Sequence, residues 1–153
     1  VVDTEGFVPS VSDDIAGGIR EAARLAATYA DATTAKVTVL AGKAVGPVYT
    51  ALAAADLRIA VTGCVVSALE PSAAVSVLYK DEIFASDNIQ QATKQKAAAY
   101  KAEQCSAVAA VANGAADAAV KAADVRAAAA QALDMLATKR TTRLPKKHGN
   151  ITL

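Results

Sequence analysis

The chain has 153 residues, a formal charge of +1 and a single histidine. That length supports one compact domain, residues 1–153, with its own core, and the near-neutral charge gives no electrostatic reason to expect nucleic acid or an anionic membrane as partner. Ala supplies about a quarter of the residues, far above ordinary usage, while aromatics make up 4% and Trp is absent, so the core must form by close approach of small side chains on helices.

The chain opens on "VVDTEGF", which reads as the end of a strand at Val1–Asp3. Such a start suits a domain excised from a longer protein, or a strand that completes a sheet with another chain. The loop "TEGFVPSVSDD" follows, with Gly6, Pro9 and Ser/Asp groups that favour turns and helix caps. A helix is predicted from about Asp14 to Ala30, with Ile19, Ala22, Ala23, Ala26 and Ala30 on one face. "KVTVL" (Lys36–Leu40) is a β-branched strand, and the loop "LAGKAVGPVYT" (Leu40–Thr50) leads from it into a small helix. "LRIAV" is the next strand, followed after the Thr62–Gly63 turn by another at Val65–Ala68. Pro71 suits a helix start, where its missing N–H would have no partner anyway, and that helix runs to about Tyr79. Helices are then predicted over Ile89–Cys105 and Val125–Thr138, broken near Gly114, with a short strand around "DAAV" at Asp117. The basic tail "KRTTRLPKKHGNITL" reads as extended. This alternation of strands and helices predicts an α/β domain with right-handed crossovers.

Most side-chain chemistry is excluded. A triad or Cys-His pair needs an internal histidine, and His148 lies in the tail as a surface residue without an orienting partner. No His/Cys/Asp cluster has ligand spacing, so no metal site is expected. "AGKAVG" lacks the upstream glycine of a phosphate loop and has Ala44 where a Mg²⁺-binding hydroxyl belongs. Asp13 and Asp14 read as acids that cap a helix and meet its dipole. Lys146 and Lys147 read as a solvated stretch or subunit contact, and Tyr49 as a partly buried packing residue. The most apolar stretch, Ile59–Leu78, is interrupted by Glu70 and Pro71, so no spanning helix is expected. Neither Cys64 nor Cys105 belongs to a C-x-x-C pair, which with the absence of a signal segment fits a reducing cytoplasm. What remains is backbone chemistry at glycine turns between strand and helix, where an oxyanion can be stabilised.

Several stretches resemble one family in the same order along the whole chain. "VDTEGFVPS" is similar to the Val-Asp-Thr-Pro-Gly-Phe stretch of biotin-dependent acyl-CoA carboxyltransferases. "AGGIREAARLAATYADATTAKVTVL" resembles their Gly-Gly-Ile-Ile-Arg helix, Ala-Thr turn and Lys-Val-Thr-Val strand. "GKAVGPVYTALAAADL" matches in position their Arg-Lys-Ala-Tyr-Gly-Gly-Ala-Tyr loop, and "KKHGNITL" resembles their Lys-His-Gly-Asn-Ile-Pro-Leu ending. The resemblance, to the propionyl-/methylmalonyl-CoA carboxyltransferase type, covers the C-terminal half of the family's catalytic chain. It implies a crotonase-like superhelix of β-β-α units. It also implies an N-terminal partner half that binds acyl-CoA, a biotin carrier protein presenting carboxybiotin to this half, and an oligomer.

Carried over residue by residue, the resemblance places a biotin-side oxyanion hole at Gly46, Pro47 and Val48, with Val48 and Gly46 as N–H donors. It also places the Gly17-Gly18 helix start near the ligand channel; close helix packing is the alternative role for those two glycines. The family's donors come from its second glycine and the following alanine, and Pro47 stands at the first of these positions without an N–H. The expected activity is carboxyl transfer between carboxybiotin and an acyl-CoA. The alternative is an assembly subunit that keeps the fold and has lost biotin-side catalysis. A stand-alone hydratase or isomerase is disfavoured, because the chain carries no convincing acyl-CoA contacts or catalytic carboxylate.

Overall fold

A computed structural model describes residues 1–7 and 10–141. Its centre is β2 (Val37–Val45), a nine-residue strand with partners on both sides. On one side lies β1 (Val2–Thr4), parallel to it. On the other, β3 (Leu57–Val61) pairs with residues 37–40 and β4 (Val65–Ser67) with residues 43–45, both parallel. β5 (Ala118–Val120) extends the sheet beyond β3, again in parallel. Parallel neighbours require crossover connections, which helices supply, while β3 and β4 follow one another along β2 through the turn at residues 62–64.

β2 corrects the sequence expectation. The strand was expected to stop at Leu40, with loop as far as the small helix; instead it continues through Gly42 and Lys43 to Val45. Pairing to β1 and β4 holds these residues extended, and Ala44 and Val45 enter the core. The glycine that suggested a turn lies inside the strand.

α1 (Val11–Ala16) and α2 (Gly18–Asp31) replace the single helix expected from Asp14. Ser10 caps α1, its hydroxyl accepting the Asp13 N–H at 3.0 Å and donating to the Asp13 carboxylate at 2.6 Å. The cap is therefore Ser10, and Asp13 and Asp14 lie in the first turn, where their charge meets the helix dipole. Gly17 ends α1 at φ +89°, a left-handed conformation that breaks the helix in two. Ala22, Ala23 and Ala26 are half-buried as expected, but Ile19 and Ala30 are exposed.

α3 (Gly46–Leu52) follows β2 directly and packs on α2, β1 and β2. After β4, α4 (Pro71–Leu78) begins at its proline as expected. The short helices α5 (Lys80–Phe84) and α7 (Ala107–Ala112) are additional to the sequence expectation; α5 has no side-chain cap, whereas Ser106 caps α7 by accepting the Ala109 N–H at 3.2 Å. α6 (Ile89–Gln104) and α8 (Val125–Leu136) match the two long helices within a residue or two. The expectations for Val8, Pro9 and the tail from Thr142, including Lys146, Lys147 and His148, lie outside the described residues.

Leu40, Ala44, Ala60, Cys64, Val66, Ala107, Ala110 and Ala116 form the core with Val2, and Tyr49 and Leu52 close one side of it. Six of these eleven side chains are small, as the composition required. The thiols of Cys64 and Cys105 are free and buried, and burial pushes both up. Polar ties fix the periphery. Lys139 reaches back from beyond α8 to the Asp56 carboxylate, at 2.9 and 2.8 Å, and to the Thr34 carbonyl at 3.0 Å. Asp56 also accepts the Lys36 N–H at 2.8 Å. No helix among the described residues is long and apolar enough to cross a membrane.

Candidate functional site

The β2–α3 junction is a sharp turn made possible by one glycine. Gly46 is buried and sits at φ +75°, where an L side chain is strained. Space is not its constraint, since an added Cβ would lie 3.8 Å from the Gly6 Cα, at ordinary contact distance. Gly6 is itself at φ +110°, and a Cβ there would lie 3.7 Å from the Val45 carbonyl oxygen. The loop after β1 and the turn after β2 therefore meet glycine to glycine. Thr4 steadies the first of them, its hydroxyl accepting the Gly6 N–H at 3.1 Å.

Gly46, Pro47 and Val48 form the first turn of α3, and Val45 at the N-cap position offers no side-chain hydrogen bond. First-turn N–H groups have no acceptor within their own helix. Gly46 and Val48 carry such N–H groups and Pro47 carries none. Pro47 is exposed and Val48 half-buried. The structure thus brings together the three residues of the expected oxyanion turn. Chemically the turn can offer backbone donors to a carbonyl or oxyanion oxygen; it offers no acid, base or metal ligand. Tyr49 is half-buried against the core, and burial raises its phenol, in keeping with a packing role.

Gly17 and Gly18 have local reasons to be glycine. Gly17 supplies the left-handed link between α1 and α2, and nothing lies within 4 Å of a Cβ added to it. A Cβ at Gly18 would lie 3.1 Å from the Asp13 carbonyl oxygen, tighter than ordinary contact. Among the described residues no hydrogen bond joins either glycine to the Gly46 turn.

Two interactions beside the turn have no signal in the sequence. Asp3 accepts the Lys43 backbone N–H at 2.8 Å, and its carboxylate occupies the space beside Gly42. The Lys43 ammonium pairs with Glu5, and that pairing raises the Lys43 pKa. These partners lie about 40 positions apart in the chain, so no local pattern announces them.

Comparison with known proteins places the chain among carboxyl transferases. The carboxyl transferase domain model matches residues 1–151. A putative propionyl-CoA carboxylase beta chain of Bacillus subtilis (strain 168) is 37% identical over 100% of this chain and 31% of its own length. The methylmalonyl-CoA carboxyltransferase 12S subunit of Propionibacterium freudenreichii subsp. shermanii is 35% identical over 98% of this chain and 29% of its own. A crystal structure of the transcarboxylase 12S hexamer assembly, with methylmalonyl-coenzyme A and methylmalonic acid bound, superposes with a TM-score of 0.90 at 35% identity. It covers 99% of this chain and 30% of that one. The chain thus spans under a third of these relatives, in their C-terminal part. Its fold is crotonase-like, as the resemblance implied. The chain belongs to the carboxyl transferase domain family of the propionyl-CoA and methylmalonyl-CoA carboxyltransferases.

Proposed function

We propose that the chain is the biotin-side part of an acyl-CoA carboxyltransferase and that the Gly46–Val48 turn holds the ureido oxygen of biotin. Family membership supports acyl-CoA carboxyl transfer. The observation that carries the biotin-side assignment is the bare first turn of α3, with its left-handed Gly46 and the facing Gly6. A carbonyl oxygen, which accepts hydrogen bonds, fits such a turn. Bound biotin would supply the carboxyl group and, after giving it up, a base for the acyl-CoA α-proton. Val48 N–H donates to the oxygen on which negative charge grows, and Gly46 N–H assists.

The remaining groups come from partners. An N-terminal carboxyl transferase half supplies the acyl-CoA site, and a biotin carrier protein delivers the cofactor in the cytoplasm. The isolated chain leaves Val11, Ile15 and Ile19 more than 70% exposed along α1 and the start of α2. The relatives are about three times longer than this chain, so the occupant proposed for that apolar face is the rest of the carboxyl transferase domain.

Pro47 favours a second reading, an assembly subunit with impaired biotin-side catalysis, because it removes one first-turn donor. Combining the chain with the N-terminal half, free biotin and malonyl- or methylmalonyl-CoA separates the two. Biotin-dependent loss of the carboxyl group from the acyl-CoA supports the enzyme. Stable association without turnover supports the assembly subunit.

A further inference from the structure

The β1–β2 pairing contains an irregularity directly upstream of the Gly46 turn. Val2 lies opposite Leu40 and Thr4 opposite Ala44, so β2 takes four steps while β1 takes two. The surplus falls at residues 41–43, beside Asp3. There the Asp3 Oδ1 accepts the Lys43 N–H at 2.8 Å, so a carboxylate serves where a regular ladder would use a backbone carbonyl. We infer that Asp3 is a positioning residue that sets the phase of β2 as it enters the Gly46 turn, an inference that rests on the biotin-side reading of that turn.

Gly42 is part of the same device. A Cβ there would lie 2.3 Å from the Asp3 Oδ1, 2.6 Å from its Cγ and 2.9 Å from its Oδ2. The carboxylate can occupy its position only while residue 42 has no side chain. Lys43 is held twice, its backbone by Asp3 and its ammonium by Glu5, on either side of Thr4. Thr4 in turn holds the Gly6 N–H at 3.1 Å, and Gly6 faces Gly46. One strand end thereby fixes both walls of the turn. A slip of β2 by one residue would drive exposed Lys43 into the buried position of Ala44, or Ala44 into the exposed position of Lys43, and carry Gly46 away from Gly6.

The test uses the assembled enzyme with free biotin as carboxyl acceptor. Asp3→Ala is expected to lower kcat/KM for biotin roughly ten- to a hundredfold, the loss that follows from misplacing a reacting group by about 1 Å. KM for the acyl-CoA stays at the parent value. Asp3→Asn recovers most of the loss, because its amide oxygen accepts the same N–H. Gly42→Ala displaces the carboxylate and reproduces the Asp3→Ala loss, and the Asp3→Ala/Gly42→Ala double variant falls no further. Equal loss in Asp3→Ala and Asp3→Asn, or losses at the two positions that multiply, overturns the inference. Hydrogen exchange at the Lys43 amide reads the clamp without activity: faster in Asp3→Ala and parent-like in Asp3→Asn, whereas unchanged exchange in Asp3→Ala refutes it. Pro47→Gly reads the turn separately. A gain there with no effect of Asp3→Ala removes Asp3 and leaves the site; no gain there with altered Lys43 exchange removes the site and leaves the clamp.

Discussion

Replacing Pro47 should make the protein a better catalyst and a less stable fold. Pro47 is the second residue of α3 and is exposed, so its ring is not packed in the core. Pro47→Gly adds a backbone N–H between those of Gly46 and Val48. One oxyanion-hole donor is worth about 3 kcal/mol, or two to three orders of magnitude in rate. A donor added to a turn shaped around proline should recover part of that, roughly ten- to a hundredfold in kcat. The bond strengthens as charge develops, so the gain falls on kcat more than on KM for biotin. Stability moves the other way by about 1 kcal/mol, since glycine frees the unfolded chain that proline restrained. Pro47→Ala supplies the same N–H with a stiffer backbone and should also gain activity. The assay is the initial rate of carboxyl transfer from saturating malonyl-CoA to free biotin in the assembled enzyme, beside a thermal melt. No gain in either variant refutes the oxyanion reasoning, and a gain in Gly alone assigns the effect to flexibility.

The Lys139–Asp56 tie should make stability depend on acid pH. Lys139 holds the Asp56 carboxyl below its usual range, so the unfolded state binds more protons as pH falls below about 4, and stability drops on acidification toward the lowered folded value. Asp56→Asn removes about 1 kcal/mol at neutral pH and flattens that acid limb; an unchanged limb in urea melts contradicts the assignment. Leu40 is fully buried in the middle of β2, so Leu40→Ala should destabilise by about 2–5 kcal/mol in the same melts. A loss below about 1 kcal/mol would contradict its place at the centre of the core.

Local signals carried most of the fold. Pro71 marked the start of α4, β-branched runs marked β3 and the first half of β2, and the long Ala-rich helices α6 and α8 were legible within a residue or two. The failures came where distant pairing overrode local preference. Gly42 reads as a turn residue, yet it lies inside β2 between residues that pair with β1 and β4, and its lack of a side chain serves the Asp3 carboxylate. Gly17 reads as a helix start and in the structure is also the break that splits one helix into two. Ile19 was placed on a packed face and is exposed, because α2 packs through Ala22, Ala23 and Ala26. For the site, Gly46, Pro47 and Val48 were named through the family resemblance, and the structure brings them into one turn. Asp3 and Gly6 could not be found that way, since their roles depend on strand pairing across about 40 residues.

The first turn of α3 is proposed to hold the biotin oxygen. A crystal structure of the assembled enzyme with biotin bound tests it directly. The ureido oxygen is expected about 2.7–3.1 Å from the Val48 nitrogen, with Gly46 and Gly6 lining the turn. Biotin seated with that oxygen on other donors, and the Val48 N–H facing water or another protein group, would contradict it.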